Sequence, residues 1–350
     1  MAKKKKKSKN VLKKIIFVFS AIIVFLLIGA GIIWKRYLVD SVTEKSFWIY
    51  IDKSSTLENV LEDLSQNIAP SEVRRIARMA KLNNYNPKNQ PGAYRIDPQM
   101  GAFKVYRKLS HGIQNPIRFT FNNLRTKEEL AERIGNSFMI SKSDVLALLN
   151  NPSVATDYGF DRYTFVSMFI PDTYEMYWTI SSRRFLDKMY DEYVKFWNEE
   201  RKKKASEIGL TLQGVSTLAS IVEEETKAKD EMKVVAGLYL NRLKKGMLLQ
   251  ADPTVKFAIN DFGVKRILHE HLNIDSPYNT YKNLGLPPGP IRIPSKAAIE
   301  AVLNYEHHDY IYMCAKEDFS GRHNFATTYT EHLKNALRYQ KALNKRNIMK

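Results

Sequence analysis

From Ile15 to Trp34 the chain runs through twenty residues without a charge, mostly Ile, Val, Phe, Leu and small residues. That length matches the ~20 apolar residues a helix needs to cross the hydrocarbon core of a bilayer. After a short stem the pattern changes to short elements. Phe47-Trp48-Ile49-Tyr50-Ile51 reads as a strand, and Ser54-Ser55-Thr56 as a capping cluster that opens a helix from Leu57 to Leu64. A second helix is expected from Ser71 to Leu82, with Ser71 as its cap and Glu72 in its first turn. The turn-rich stretch from Asn83 to Pro91 leads into a strand at Ala93-Tyr94-Arg95-Ile96. This strand, helix, helix, strand order predicts a small α+β unit near the lower size limit for independent folding.

Further along, Met100 to Leu109 has helical spacing and Ile117 to Phe121 alternates as a strand does. Thr126 and Glu129 form a capping-box pair that opens a helix to Ile134. More helices are expected from Ser141 and from Phe185 to Phe196, whereas Glu199 to Lys204 reads as solvated and helical at best. A helix opens near Val215, and another covers Met232 to Lys244 with Asp230 as N-cap and Gly246 as a left-handed stop. Loops rich in Pro and Gly alternate with short strands, one of them Tyr310 to Cys314, before a basic helix from about Glu331. The fold class expected is α+β: a single N-terminal transmembrane helix, the small α+β unit and a larger mixed α+β domain, without internal repeats.

Composition sharpens this picture. With 350 residues, 44% hydrophobic and 11% aromatic, the chain has apolar surface for two or three folded units. The net charge of +18 invites a nucleic-acid reading, but residues 1–36 hold nine lysines and Arg36 with no acid, leaving +8 for the rest. No nucleic-acid-binding fingerprint accompanies that remainder, so no such partner is expected. The charge is a topology signal. Lysines before an apolar span stay cytoplasmic, which makes 1–14 a basic cytoplasmic tail, 15–34 the transmembrane helix and the body extracytoplasmic, although Lys35 and Arg36 weaken the asymmetry. A cleaved signal peptide competes. The run is longer than a usual signal core and leads into Lys35-Arg36-Tyr37 instead of a small-residue cleavage site, which favours an uncleaved anchor. Cys314, the only cysteine, excludes an internal disulfide and a cysteine-rich metal site, and in its strand it is expected as a buried thiol.

No GxGxxG, Walker loop, CxxC pair or HExxH occurs, and His307-His308 lacks a partner set, so neither a metal nor another cofactor is expected. The cluster Glu223-Glu224-Glu225 invites the bland reading of a solvated helix face. Helical geometry separates its members. At about 100° per residue Val215, Leu218, Ala219 and Val222 form one apolar stripe; Glu225 falls about 60° from Val222, whereas Glu224 points to the opposite side, toward water. Glu225 alone borders the core, where partial desolvation raises a carboxyl pKa toward the range a general acid needs. Glu223 lies about 200° around the helix from Glu225, so the two do not form a glycosidase carboxylate pair.

Gln250-Ala251-Asp252-Pro253-Thr254 reads either as an N-cap at Asp252 with Pro253 in the first helical position or as polar wall beside Glu225. Tyr278-Asn279-Thr280-Tyr281 offers aromatic bodies with polar tips suited to sugar rings, although such rings are more often core. Gly285 to Pro290 is a stiff loop of the kind that shapes clefts at surfaces. His323-Asn324-Phe325 fits a cleft or a structural role equally well.

Taken together, Ala219 to Thr226, Asn241-Arg242-Leu243 with Gly246-Met247, Leu249 to Val255, Tyr278 to Tyr281 and Gly285 to Ile291 resemble the endolytic murein transglycosylases of the MltG/YceG-like family. Pro91-Gly92-Ala93-Tyr94-Arg95 and Pro171-Asp172-Thr173-Tyr174 extend the match over nearly all of the body. The resemblance implies that the second acid of the family's E-x-E-T motif, here Glu225, is the catalytic acid/base. It also implies a LysM-like unit at about 45–115 and a YceG-like catalytic domain over 116–345 with its catalytic helix at 215–226. The implied reaction cleaves the MurNAc–GlcNAc bond of peptidoglycan glycan strands to leave 1,6-anhydro-MurNAc ends, terminating or trimming nascent strands at the cell (inner) membrane. Cell-wall synthases (penicillin-binding proteins) are the protein partners to expect. Glu223, Gln250, Asp252, Thr254, Tyr278, Asn279 and Tyr281 are the substrate-binding candidates. The competing readings are a non-catalytic peptidoglycan-binding scaffold and a hydrolytic muramidase. One departure stands at Phe325-Ala326, where many members have Phe-Asn.

Overall fold

The computed structural model describes residues 2–35, 37, 40–264 and 267–346; Arg36, on the far flank of the apolar run, lies outside them. Helix α1 (Ala2–Trp34) contains the apolar run, and its portion Lys13–Trp34 is long and apolar enough to cross a membrane, with none of it buried in the protein. The chain divides into two units, one of residues 1–117 with 175–179, the other of 118–174 with 180–350.

In the first unit β1 (Phe47–Ile51) is followed by α2 (Leu57–Ser65) and α3 (Pro70–Leu82), then β2 (Gly92–Ile96) and α4 (Ala102–Ser110). The two strands pair antiparallel, Phe47 opposite Ile96 and Ile51 opposite Gly92. Strand alternation sends Ile49 and Ile51 inward with Tyr94 and Ile96, against Val60, Leu64, Ile76, Val105 and Leu109. Tyr50 faces the other way and sets its ring 5.3 Å from that of Trp178. Thr56 caps α2 through a capping box with Asn59. The start of α3 differs from expectation: Pro70 holds the first position after Ala69, and Ser71 lies inside the helix. Proline's fixed φ suits that first turn without a side-chain cap.

The second unit begins within β3 (Pro116–Thr120), one residue earlier than the alternation predicts, and continues through α5 (Lys127–Gly135), α6 (Lys142–Asn150), α7 (Pro152–Asp157), β4 (Thr173–Tyr177), α8 (Ser182–Phe196) and α9 (Glu199–Glu207). β3 and β4 pair, and the division between units falls inside both strands. The predicted capping box on α5 is half formed. Thr126 accepts from the Glu129 N–H, but the Glu129 carboxylate accepts from the Arg125 N–H. The stretch from Glu199 is a regular helix, capped by Asn198 and carrying the pairs Lys202–Glu199 and Lys204–Glu200.

The remainder comprises α10 (Leu212–Glu225), α11 (Met232–Lys244), α12 (Asp252–Ile259), α13 (Lys296–Leu303), β5 (Tyr312–Ala315), β6 (His323–Ala326) and α14 (Tyr329–Lys345), with β5 and β6 antiparallel. α10 is the central helix. Its predicted stripe is buried, but so are Ser216, Thr217 and Ser220, because α11, α12 and α13 pack around it. Most buried hydroxyls take a partner: the Ser220 hydroxyl has two, donating to the Thr217 carbonyl and accepting from the Ile291 N–H, whereas the Ser216 hydroxyl has none among the described residues. The Pro-rich loop before Ile291 is therefore packing, not cleft rim: Pro287, Gly289 and Pro290 are buried, and a Cβ on Gly289 would lie 2.2 Å from the Tyr163 carbonyl oxygen. α11 is capped at Glu231, not Asp230, which instead takes Arg322 on both carboxylate oxygens. Gly246 takes the expected left-handed turn, φ 63°.

Candidate active site

Glu225 is the last residue of α10, half-buried and open to a cleft of about 600 Å³ counted to its mouth. α11 supplies one wall through Tyr239 and Arg242, three residues apart and so on one helical face. The Tyr239 hydroxyl donates to Glu225 Oε1 at 2.7 Å. Burial pushes the Glu225 carboxyl from its ordinary 4.5 up to about 7; the nearby Asp252 charge adds to this, while the Tyr239 hydrogen bond and the cations Lys256 and Arg242 oppose it. A carboxyl near that value is protonated in a useful fraction at neutral pH and exchanges its proton readily.

Arg242 is 8% exposed and organises the floor. Its Nε donates to the Ile311 carbonyl and its Nη1 to the carbonyls of Leu248 and Leu249 and to Gln250 Oε1. The segment after residue 304 is clamped along α11. Asn241 donates to the carbonyls of His308 and Tyr310, and Gly237 lets the Glu306 carbonyl come so close that a Cβ would stand 2.4 Å from it. This clamp brings Met313, Cys314 and Ala315 of β5, and His323 of β6, into the cleft wall. Cys314 is thus half-buried in the wall, where a fully buried core thiol was expected, and burial raises its pKa.

Three of the predicted polar residues meet Glu225 in this cleft. Gln250 adopts a left-handed backbone, φ 50°, and its N–H donates to the Thr280 carbonyl. Asp252 lies inside the first turn of α12, with Ala251 at the cap position, so it is not the N-cap; Asp252 Oδ1 accepts from the Tyr281 hydroxyl at 2.5 Å. Tyr281 is the third, its pKa pushed up by burial and by this bond.

The other four lie elsewhere. The Thr254 hydroxyl is buried, donating to the Ala251 carbonyl and meeting the Thr280 hydroxyl. Asn279 is buried too; its amide donates to the carbonyls of Leu272 and Ile274 and accepts from the Tyr281 N–H, so it shapes the loop that carries Tyr281. The ring of Tyr278 packs at 4.6 Å from Phe257 and 6.3 Å from Tyr163. Glu223 Oε2 accepts from the Ser295 N–H at the start of α13. Glu224 is not in water: Arg292 and Arg125 both bind it.

Tyr239 and Arg242 were not legible as site residues. The only signal for them was their helical spacing on a segment whose stretch Asn241-Arg242-Leu243 carries the resemblance. The bond from Tyr239 yields a direct expectation. Tyr239→Phe removes a donor that favours the charged form of Glu225, so the Glu225 pKa rises. A bond worth about 0.5–1.5 kcal/mol corresponds to roughly 0.4–1 pH unit, and the alkaline limb of any Glu225-dependent activity moves up by that amount. An unmoved limb in pH–rate profiles of the folded variant would contradict the coupling.

Fold and site together define an α+β body that presents one proton-exchanging carboxyl group to an open polar cleft, a layout suited to general acid/base chemistry. The sequence model of the YceG-like family matches residues 49–338, and the chain belongs to that family. A Bacillus subtilis protein named endolytic murein transglycosylase is 29% identical over 343 residues, covering 92% of this chain and 93% of that protein. A Streptococcus pneumoniae (strain R6) protein of the same name is 26% identical over 360 residues, covering 91% of this chain and 64% of that protein. Among solved structures, a yceG-like protein from Listeria monocytogenes with 25% identity matches with a TM-score of 0.55, covering 83% of this chain and 99% of that chain.

Proposed function

We propose that the protein is a membrane-anchored lytic transglycosylase of peptidoglycan, with Glu225 as its acid/base. The observation that carries this reading is the half-buried carboxyl with a pKa near 7 in an open cleft, on a chain whose relatives are named endolytic murein transglycosylases. Protonated Glu225 gives its proton to the oxygen of the MurNAc–GlcNAc linkage as that bond breaks. The C6 hydroxyl of the same muramoyl residue attacks C1, and the Glu225 carboxylate takes its proton, leaving a 1,6-anhydro end. Bond cleavage and ring closure share one proton carrier, so no enzymic nucleophile is needed. Acid/base assistance of this kind contributes about 10² to 10⁴ in rate, and positioning by the cleft walls supplies more. Gln250, Asp252 and Tyr281 are the wall residues that hold the strand.

The apolar helix serves as a single-pass anchor with the body outside the cytoplasm, 45–115 as a LysM-like unit and 116–345 as the catalytic domain, a placement that lets the enzyme trim strands as synthases extrude them. One observation favours a second reading: Asp252 puts another carboxyl group into the same cleft, and hydrolytic glycosidases use two. Mass spectrometry of products from purified glycan strands separates the readings. Anhydro ends, lighter by one water than reducing ends, are expected; reducing ends would make the protein a muramidase, and no new ends a scaffold. A reporter joined after Lys350 is expected to be active only outside the cytoplasm, and a soluble form starting near Tyr37 would overturn the anchor.

A further inference from the structure

We propose that His323, oriented by Glu231, contacts the glycan in the Glu225 cleft as a hydrogen-bond acceptor for a sugar hydroxyl or acetamido N–H; the proposal rests on the peptidoglycan reading above. Glu231 is 6% exposed, and three donors converge on its carboxylate. Oε1 accepts from the His323 backbone N–H at 2.9 Å. Oε2 accepts from the Thr226 hydroxyl at 2.8 Å and is 3.0 Å from His323 Nδ1. Thr226 directly follows Glu225, so one buried carboxylate ties the end of the Glu225 helix to the strand that forms the facing wall.

The chemistry of this junction sets the imidazole. An ionised carboxylate only accepts, so Glu231 takes the proton of Nδ1, and in its neutral form the ring offers Nε2 as an acceptor. Among the described residues no protein group bonds Nε2, although His323 lines the cleft. The neighbouring polar tips are already engaged, the Tyr239 hydroxyl with Glu225 and the Tyr281 hydroxyl with Asp252. His323 thus brings an unengaged ring nitrogen to the cleft wall, beside the second oxygens of Glu225 and Asp252, and the complement of its acceptor form is a donor on the substrate, which a saccharide supplies in every ring.

The test exploits Glu231→Gln. The amide oxygen must face the His323 backbone N–H, which only donates, so the amide NH₂ is forced onto Nδ1. Thr226 adapts by accepting, but the ring must move its proton to Nε2. Ring ¹⁵N spectra of histidine-labelled full-length protein in detergent, with the His323 signal assigned from His323→Ala, are expected to show the Nδ1–H tautomer in wild type and Nε2–H in Glu231→Gln. An uncross-linked peptidoglycan tetrasaccharide, titrated on the Glu225→Gln background so that it is not turned over, is expected to shift the His323 Nε2 signal. Adding His323→Ala or Glu231→Gln should weaken its Kd about tenfold. In otherwise wild-type protein the same changes should raise KM about tenfold and alter kcat less than threefold. A purely structural role would lower the melting temperature and leave Kd and KM of the folded fraction unchanged, which would overturn the proposal. If wild type forms anhydro ends but the signal stays fixed at saturation, the contact fails and the reaction stands. If the signal shifts but no anhydro ends form, the contact stands and the reaction fails; absence of glycan binding overturns both.

Discussion

Glu225→Gln is expected to abolish the formation of anhydro ends in a protein that stays folded and becomes more stable at alkaline pH. Glutamine keeps the shape of the side chain and can still accept from the Tyr239 hydroxyl, but it has no transferable proton. The rate loss expected from removing an acid/base is about 10²- to 10⁴-fold. In wild type the same group sets the pH dependence. Its pKa of about 7 means the acid form prevails below that pH, so kcat/KM should fall as pH rises through about 7. For stability the sign follows from the same shift. The folded-state pKa lies above the unfolded value of 4.5, so the folded form binds the extra proton, and stability is fully present below 4.5 and declines as pH rises through about 7. Glutamine does not titrate. The variant and wild type should therefore melt together near pH 4, whereas at pH 8 the variant gains about 1 kcal/mol, discounted because the cleft side is open to water, or roughly 2–4 °C. Muropeptide analysis beside unfolding curves at both pH values checks this. Full activity in folded Glu225→Gln would remove the mechanism, and activity lost only by unfolding would return the residue to a structural role.

Arg292→Ala is expected to cause a large loss of stability. Arg292 is 6% exposed at its side chain and lies against two of the three adjacent glutamates. Its Nη1 meets Glu224 Oε1 at 2.5 Å, Nη2 donates to Asn123 Oδ1, and Nε stands 3.6 Å from Glu223 Oε2, an electrostatic contact beyond hydrogen-bond reach. Without it, two carboxylates remain half-buried at the carboxyl end of α10, where the helix dipole already disfavours negative charge. Breaking a buried ion pair by removing one partner costs about 3–5 kcal/mol, and because Glu224 keeps Arg125 the loss falls at the lower end of that range, roughly 6–12 °C in melting temperature for a unit of this size. Glu224→Gln should also destabilise, by about 1–3 kcal/mol, instead of being silent as a residue pointing into water would be. Thermal unfolding of the two variants decides: a melting temperature within 2 °C of wild type for Arg292→Ala would mean that the pairing contributes nothing.

The cluster Glu223-Glu224-Glu225 shows where local pattern suffices and where it stops. Angular position on a helix is local, so the stripe from Val215 to Val222 and the placement of Glu225 at its border were readable from spacing alone. Whether the opposite side meets water is not local. Arg125 and Arg292 stand 99 and 68 residues from Glu224 in the chain, and only the packing of the whole second unit brings both guanidinium groups to it.

The same division runs through the rest of the molecule. The apolar run, the strands at 47–51 and 92–96 and most long helices follow from periodicity and capping, because those depend on residues within a few positions of one another. Short helices such as α7 and α13 passed unnoticed, since six or eight residues carry too little periodicity to register. Asn279 and Thr254 had the chemistry of wall residues, yet backbone carbonyls of their own loops claimed their polar atoms. By itself the sequence determined the anchor-like segment, the α+β class and the one glutamate that borders the core. Only the tertiary structure decided which polar groups are left facing the cleft and which are consumed in building it, because a buried polar atom takes whichever partner the fold brings within reach.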